Sequence, residues 1–267
     1  SYVKVDSVAA NILSYTGGES RSLSVNARYY WAVSAKNDQG ESHFTLANKA
    51  TYANTPVQMF VGNPQPDRLR VRITSPGDGN PVATQYAIEV TFNSMVKYLQ
   101  ADTTLGDGPV FQTRANWGGN AGVLAKGLSS STTYSFRAKA RNLDNVETDF
   151  GVSNSATTLP TEPGNLFIDT ITTTSMRLNW TDNTPDELGF NVYRSINNDI
   201  YVKVADLPPG TQSYNGTGLN PDSMYYWEVS AYSSVGESRF AYVHAPTRAN
   251  TPNAATLSNP TYTSMLV

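Results

Sequence analysis

Two stretches near opposite ends of the chain alternate in almost the same way. Ala27–Ser42 reads ARYYWAVSAKNDQGES and Ser223–Ser238 reads SMYYWEVSAYSSVGES. Apolar side chains fall at every second position in both: Tyr29, Trp31, Val33 and Ala35, then Tyr225, Trp227, Val229 and Ala231. A more distant copy, GLSSSTTYSFRAKARNLDNVETDFG (Gly127–Gly151), places Tyr134, Phe136, Ala138 and Ala140 likewise. Period two with one apolar face predicts a half-buried strand. A leucine stands six residues before each tyrosine, as Leu23, Leu128 and Leu219. The tyrosines recur every ~90 to 105 residues, the size of one small β-sandwich.

The most legible copy lies upstream of Tyr225. SMRLNW sets Met176, Leu178 and Trp180 on one face of a strand. GFNVYRS follows, with Phe190, Val192 and Tyr193 supplying apolar bulk, and Asn197–Asp199 supplies a turn. YVKVADL returns as a third strand and is broken at Pro208–Gly210. Short strands separated by turn signals predict an antiparallel sandwich.

A longer period is also present. ANTP occurs at Ala53–Pro56 and at Ala249–Pro252, and the same offset lays Asn63-Pro64 on Asn259-Pro260, Leu69 on Met265 and Val71 on Val267. YVKV at Tyr2 matches YVKV at Tyr201. Two domain types therefore alternate. The predicted divisions are residues 1–53, the C-terminal half of a Trp-rich copy; 54–159, a variant copy; 160–249, a complete Trp-rich copy; and 250–267, the first strands of a further variant. Partial domains at both ends make the chain an expected window from a longer one with alternating repeats on either side.

The complete Trp-rich copy resembles a bacterial fibronectin type III domain. The residues that carry the resemblance are the strand tryptophan Trp180, the pair Leu219 and Pro221 before Tyr225, and the Ala-x-x-x-x-Gly ending. The variant copy, marked by GDGNPVATQYAIEV and TTYSFRAKARN, is similar to a form found in multi-repeat bacterial surface proteins. It departs from the pattern in having RLRVRI with no Trp, and an insertion, QADTTLGDGPVFQTRANWGG. The resemblance implies an all-β chain of tandem immunoglobulin-like sandwiches. It also implies structural roles for Tyr29, Tyr134, Tyr225, Trp31, Trp180, Trp227, Leu23, Leu128 and Leu219, with each corner tyrosine bonding backbone through its hydroxyl.

Composition narrows the function classes. The net charge of −3 argues against a binder of nucleic-acid phosphates. No apolar run is long enough to cross a bilayer, and no cysteine is present for disulfide or thiolate chemistry. The two histidines, His43 and His244, are each expected in a last strand as surface polar residues, and no nucleophilic triad assembles around them. Asp182, Asp186 and Glu187 share a predicted loop and are calcium candidates, although they lack alternating Asp-x-Asp spacing. Exposed aromatics suit glycan stacking: Trp117 in the insertion is the candidate, and Tyr30, Tyr226 and Tyr232 should face outward. Sequon matches occur at Asn179, beside a core Trp, and at Asn215. No Arg-Gly-Asp tripeptide is present.

The functional expectation is a non-enzymatic, extracellular structural or adhesive segment of a long microbial surface or fibre-forming protein. Its expected partners are neighbouring repeats, with lateral self-assembly or a cell-surface glycan or protein beyond them, and no cofactor. The alternatives are spacer modules of a secreted carbohydrate-active enzyme, or a glycan- or protein-binding module built around Trp117.

Overall fold

The computed structural model describes residues 2–16, 22–74, 77–184 and 186–253. Regular structure among them is entirely β. The chain divides into two compact units, Ser1–Thr158 and Leu159–Val267.

Unit 1 begins with β1 (Arg28–Val33), β2 (Lys36–Asn37), β3 (Gly40–Glu41) and β4 (Thr45–Ala50). β1 and β4 pair antiparallel, with Arg28 opposite Ala50 and Val33 opposite Thr45. No second sheet faces this hairpin among the described residues, and that alters the expected burial. Tyr29 and Trp31 are only half-buried, Val33 is 69% exposed, and Ala35 is exposed. Tyr2–Val5, the match to Tyr201–Val204, forms no strand. His43 lies just before β4 rather than within a last strand.

The variant sandwich follows with β5 (Met59–Gln65), β6 (Arg68–Ile73), β7 (Gln85–Phe92), β8 (Met95–Leu99), β9 (Leu105–Gly106), β10 (Gln112–Thr113), β11 (Val123–Lys126), β12 (Thr133–Arg141) and β13 (Asn154–Thr157). One sheet is β11-β6-β5; the other is β13-β12-β7-β8-β9, with β10 also on β7. Alternation works as predicted on β12, where Tyr134, Phe136, Ala138 and Ala140 are all buried against Leu69, Val71 and Ile73 of β6.

The insertion corrects the reading of Trp117. After β10 the chain turns Trp117 into the core, where it is 1% exposed and its indole N–H donates to the Tyr86 carbonyl at 2.8 Å. A ring this buried offers no face to a sugar. The cause lies in β6: RLRVRI sends three aliphatic side chains inward and no Trp, so the aromatic volume arrives from the insertion. Gly118 and Gly122 make the turn possible. Both have positive φ, +79° and +69°, and a Cβ on either would sit 2.3 Å from a backbone oxygen.

Unit 2 contains β14 (Gly164–Ile171), β15 (Ser175–Thr181), β16 (Gly189–Ser195), β17 (Val202–Leu207), β18 (Ser213–Thr217), β19 (Met224–Ser233), β20 (Gly236–Glu237) and β21 (Ala241–Pro246). Its sheets are β14-β15-β18 and β17-β16-β19, with β20 and β21 also pairing β19. Between them lie Met176, Leu178, Trp180, Phe190, Val192, Tyr225, Trp227, Val229 and Ala231, all buried. The Trp180 and Phe190 rings meet at 5.6 Å. Gly216 in β18 admits Trp227, since a Cβ there would lie 2.3 Å from the indole ring. The expected further variant copy at 250–267 lies, from residue 254 onward, outside the described residues.

Emptying either aromatic slot should be costly, because a core of this size cannot collapse into so large a void. Trp180→Ala and Trp117→Ala are each expected to cost about 3 to 5 kcal/mol in their own unit. Urea melts of the chain read this out, and wild-type stability for Trp117→Ala would remove that residue from the core.

Candidate functional site

The three corner tyrosines are held identically. The phenol oxygen accepts a backbone N–H from five residues upstream: Ser24 to Tyr29 at 2.7 Å, Ser129 to Tyr134 at 2.8 Å, and Asn220 to Tyr225 at 2.9 Å. A threonine at the end of each repeat closes the same corner. Thr51, Thr158 and Thr247 donate their hydroxyls to the carbonyls of Ser24, Ser129 and Asn220, at 2.7, 2.7 and 2.6 Å. Each hydroxyl also accepts a backbone N–H, from Ala27, Thr132 and Ser223, at 3.0 Å in every case.

A second hydroxyl clasp explains why GES recurs. Ser42 accepts the Ala35 N–H and Ser238 accepts the Ala231 N–H, at 2.9 and 3.0 Å. Thr148 does the same for Ala140 at 3.0 Å. Sequence reading found the tyrosines through their alternation. It missed the threonines, which stand on no apolar period and are linked to the corner only across 24 to 29 residues.

Thr51 opens the stretch that joins the first hairpin to the variant sandwich within unit 1. Three residues on, Asn54 is clasped by one side chain, its N–H donating to Asn80 Oδ1 and its carbonyl accepting from Asn80 Nδ2, both at 2.8 Å. Asp78 holds Asn80 in place and accepts the Tyr86 hydroxyl at 2.8 Å. Gly151 lets the stretch pass, because a Cβ there would be 2.0 Å from the Pro56 oxygen. In unit 2, Thr184 plays the part of Asn80, with both backbone groups of Thr161 on its hydroxyl at 3.0 and 3.1 Å.

The turn Asn142–Val146 of the variant sandwich locks onto the hairpin. Asn26, 5% exposed, donates to the Thr84 hydroxyl at 2.8 Å and accepts the Leu143 N–H at 2.9 Å. Asn142, 4% exposed, donates to the Thr51 carbonyl at 3.2 Å. Asp144 accepts the Ala50 N–H at 2.8 Å and the Arg28 guanidinium at 2.5 Å. The Ala50 N–H, followed by Arg28, holds the Asp144 carboxyl below the usual carboxylate range. The chemistry of this junction is positional: its polar side chains bond backbone and one another across the two parts of unit 1.

The remaining candidates are dispersed. Asp182 accepts its own loop's Thr184 N–H, and Glu187, 7% exposed, accepts the Gly210 N–H at 2.8 Å. Among the described residues, no group of three or more His, Cys, Asp or Glu is placed to hold a metal ion, so Asp182, Asp186 and Glu187 form no calcium cage. Asn179 lies between two core residues with its amide nitrogen buried, whereas Asn215 is exposed on β18. Tyr30 faces outward at 63% exposure; Tyr226 and Tyr232 are half-buried. His244 lies in β21.

Residues 161–246, within unit 2, match the model of the fibronectin type III domain family. Solved structures similar to this chain include two tandem fibronectin type III segments. A two-domain fibronectin type III segment of chicken tenascin is 14% identical, covers 73% of this chain and 100% of its own, and aligns with a TM-score of 0.46. The FN1–FN3 domains of chicken CNTN1 are 17% identical, cover 83% of this chain and 77% of their own, and align at 0.37. No curated protein sequence gives a significant match.

Each clasp should be measurable. Tyr225→Phe is expected to cost about 1 kcal/mol, the worth of one hydrogen bond. Thr247→Val leaves both the Asn220 carbonyl and the Ser223 N–H without their partner and should cost about 1 to 3 kcal/mol. Equal urea midpoints for Thr247→Val and wild type would dismiss the clasp as ornamental.

The junction should respond to acid. A carboxyl depressed in the folded state stabilises above its unfolded pKa of about 4, and that contribution is lost as pH falls through the lower folded value. Exchange protection of the Ala50 amide, followed by NMR, should be level above pH about 4 and decline below it. Asp144→Asn should remove that dependence. Protection that persists unchanged well below the carboxylate range would refute the assignment.

Proposed function

We propose that this chain is a non-enzymatic structural or adhesive repeat segment of a long extracellular protein at a microbial surface or in a fibre. The observation that carries this reading is the junction in unit 1. Asn26, Asn142, Asp144 and the Asn54–Asn80 clasp join one repeat to the next through hydrogen bonds that a flexible tether would not need. The ordered carboxylates of unit 1 support the same reading, because their bonds are to the chain's own groups. Glu89 pairs with Arg137 at 2.6 Å, Asp144 with Arg28, and Asp78 with Asn80 and Tyr86. Function then resides in reach, stiffness and lateral contact. The fibronectin type III match in unit 2 fits such a role without dictating it, since this fold hosts many activities.

The test is accessibility on the source cell. Antibodies raised against the chain should label intact cells, and external protease should remove the signal. Labelling that appears only after lysis would overturn the extracellular reading.

A further inference from the structure

The outer face of the β16-β19-β21 sheet concentrates aromatic rings around one carboxylate. Register sets Glu228 of β19 between Tyr193 of β16 and Tyr242 of β21, and sets Tyr226 opposite His244. The rings crowd together: Tyr226 lies 5.6 Å from His244 and 6.5 Å from Tyr242, and Tyr242 lies 5.6 Å from His244. Tyr242 and His244 are exposed; Tyr226 and Glu228 are half-buried. The nearby phenols do not serve Glu228, for Tyr193 donates to Glu237 and Tyr201 to Asn198. Among the described residues, no cation lies within 4.0 Å of the Glu228 carboxylate and none donates a hydrogen bond to it. Burial accordingly pushes its carboxyl pKa up.

The variant sandwich shows what the equivalent face looks like when filled. Three residues after its corner tyrosine stands Arg137, where unit 2 has Glu228. Arg137 lies 4.3 Å over Phe150, Lys139 lies 5.1 Å from Phe150 and 5.9 Å from Phe111, and Arg141 lies 4.3 Å over Phe111. Cations and rings interleave there along β12. Glu89 neutralises Arg137 and Glu147 neutralises Lys139, but Arg141 has only the neutral Gln85 oxygen, at 2.8 and 2.5 Å. On the unit 2 face the cation near a ring, Lys203, lies 5.9 Å from Tyr232 and is held by Asp206 at 2.6 Å, which leaves Glu228 among its rings with no cation of its own. The β12 ladder ends in a cation, Arg141, with no carboxylate.

We propose that the aromatic face around Glu228 docks the Arg141 end of the cation ladder on a second copy of this chain, so that chains associate side by side. The complementarity is chemical in kind. An arginine over tyrosine rings gains cation–π attraction, and its contact with Glu228 compensates a carboxylate already partly stripped of water. Because the contact is ionic at its centre, it weakens with salt. This inference rests on the lateral-contact element of the proposed function. It is tested by association in solution, whereas cell-surface labelling tests the location, so either can fail alone.

Sedimentation equilibrium of the whole chain at high protein and low salt should give an average mass above the single-chain 29.0 kDa. Glu228→Lys and Arg141→Glu should each weaken association by roughly tenfold or more, the scale of a lost ionic contact. Glu228→Lys removes no hydrogen bond or ion pair within the chain, so its urea midpoint should stay near wild type. Arg141→Glu gives up its Gln85 and Phe111 contacts and should melt somewhat earlier but still cooperatively, which excludes misfolding as the cause of lost association. An equimolar mixture of the two variants recreates opposite charges at both positions and should associate as wild type does. A single-chain mass under all conditions, association indifferent to either charge reversal, or a mixture no better than the variants alone would each overturn the proposal.

Discussion

The structure depends on a phenol oxygen that accepts one backbone N–H five residues upstream. A sandwich must carry its chain from one sheet to the other near this point, and the crossing leaves backbone donors and acceptors with no ladder to join. The tyrosine answers one of them while its ring fills the core, so the polar and apolar tasks are tied to one side chain. In Tyr134 and Tyr225 the ring is buried; in Tyr29, with no facing sheet among the described residues, it is half-exposed and the hydrogen bond persists. The corner is therefore a local device that does not require a complete core around it.

The threonine clasp turns that corner into a fixed exit point. A single hydroxyl donates to one backbone group of the crossing and accepts from another, so the end of each repeat is nailed to its own interior. In unit 1 the next anchor, Asn54, follows after three residues, which span at most about 10 Å. No slack accumulates between the two fixed points. Proline contributes at Pro56 by fixing φ, and side chains satisfy the linker backbone on either side of it. The turn bearing Asn142 and Asp144 then reaches back to the residues flanking Thr51, which makes the junction a closed polar network rather than a hinge.

What the sequence made legible is what recurs at short range. Period-two alternation exposed the strands around Tyr29, Tyr134 and Tyr225, and Met176, Leu178 and Trp180 fell on one buried face as their spacing required. What it hid is what acts at long range through common residue types. Asn26 meets Leu143 across 117 positions and Thr84 across 58, and nothing in an asparagine announces such partners. Burial of the first hairpin was overestimated because alternation reports which face is apolar, not whether another sheet covers it. Trp117 misled for a related reason. A tryptophan among glycines in an insertion has the composition of an exposed loop, and only the missing Trp in RLRVRI hinted that the core required it.

That exchange of tryptophans separates two kinds of constraint. Trp180 enters its core from β15, and Trp117 enters the neighbouring core from an insertion far along the chain, held by a bond to the Tyr86 carbonyl. Close packing demands the volume but is indifferent to the segment that delivers it. Hydrogen bonds at the corner are not indifferent, because the donor and acceptor positions are set by the backbone crossing itself. The repeats have accordingly diverged in what fills them, and in the charge on their outer faces, while the tyrosine and its two hydroxyl clasps recur in each of the three copies among the described residues. A chain built this way can alter its surface from one repeat to the next without disturbing how each repeat ends, and the end of each repeat is what the next one is attached to.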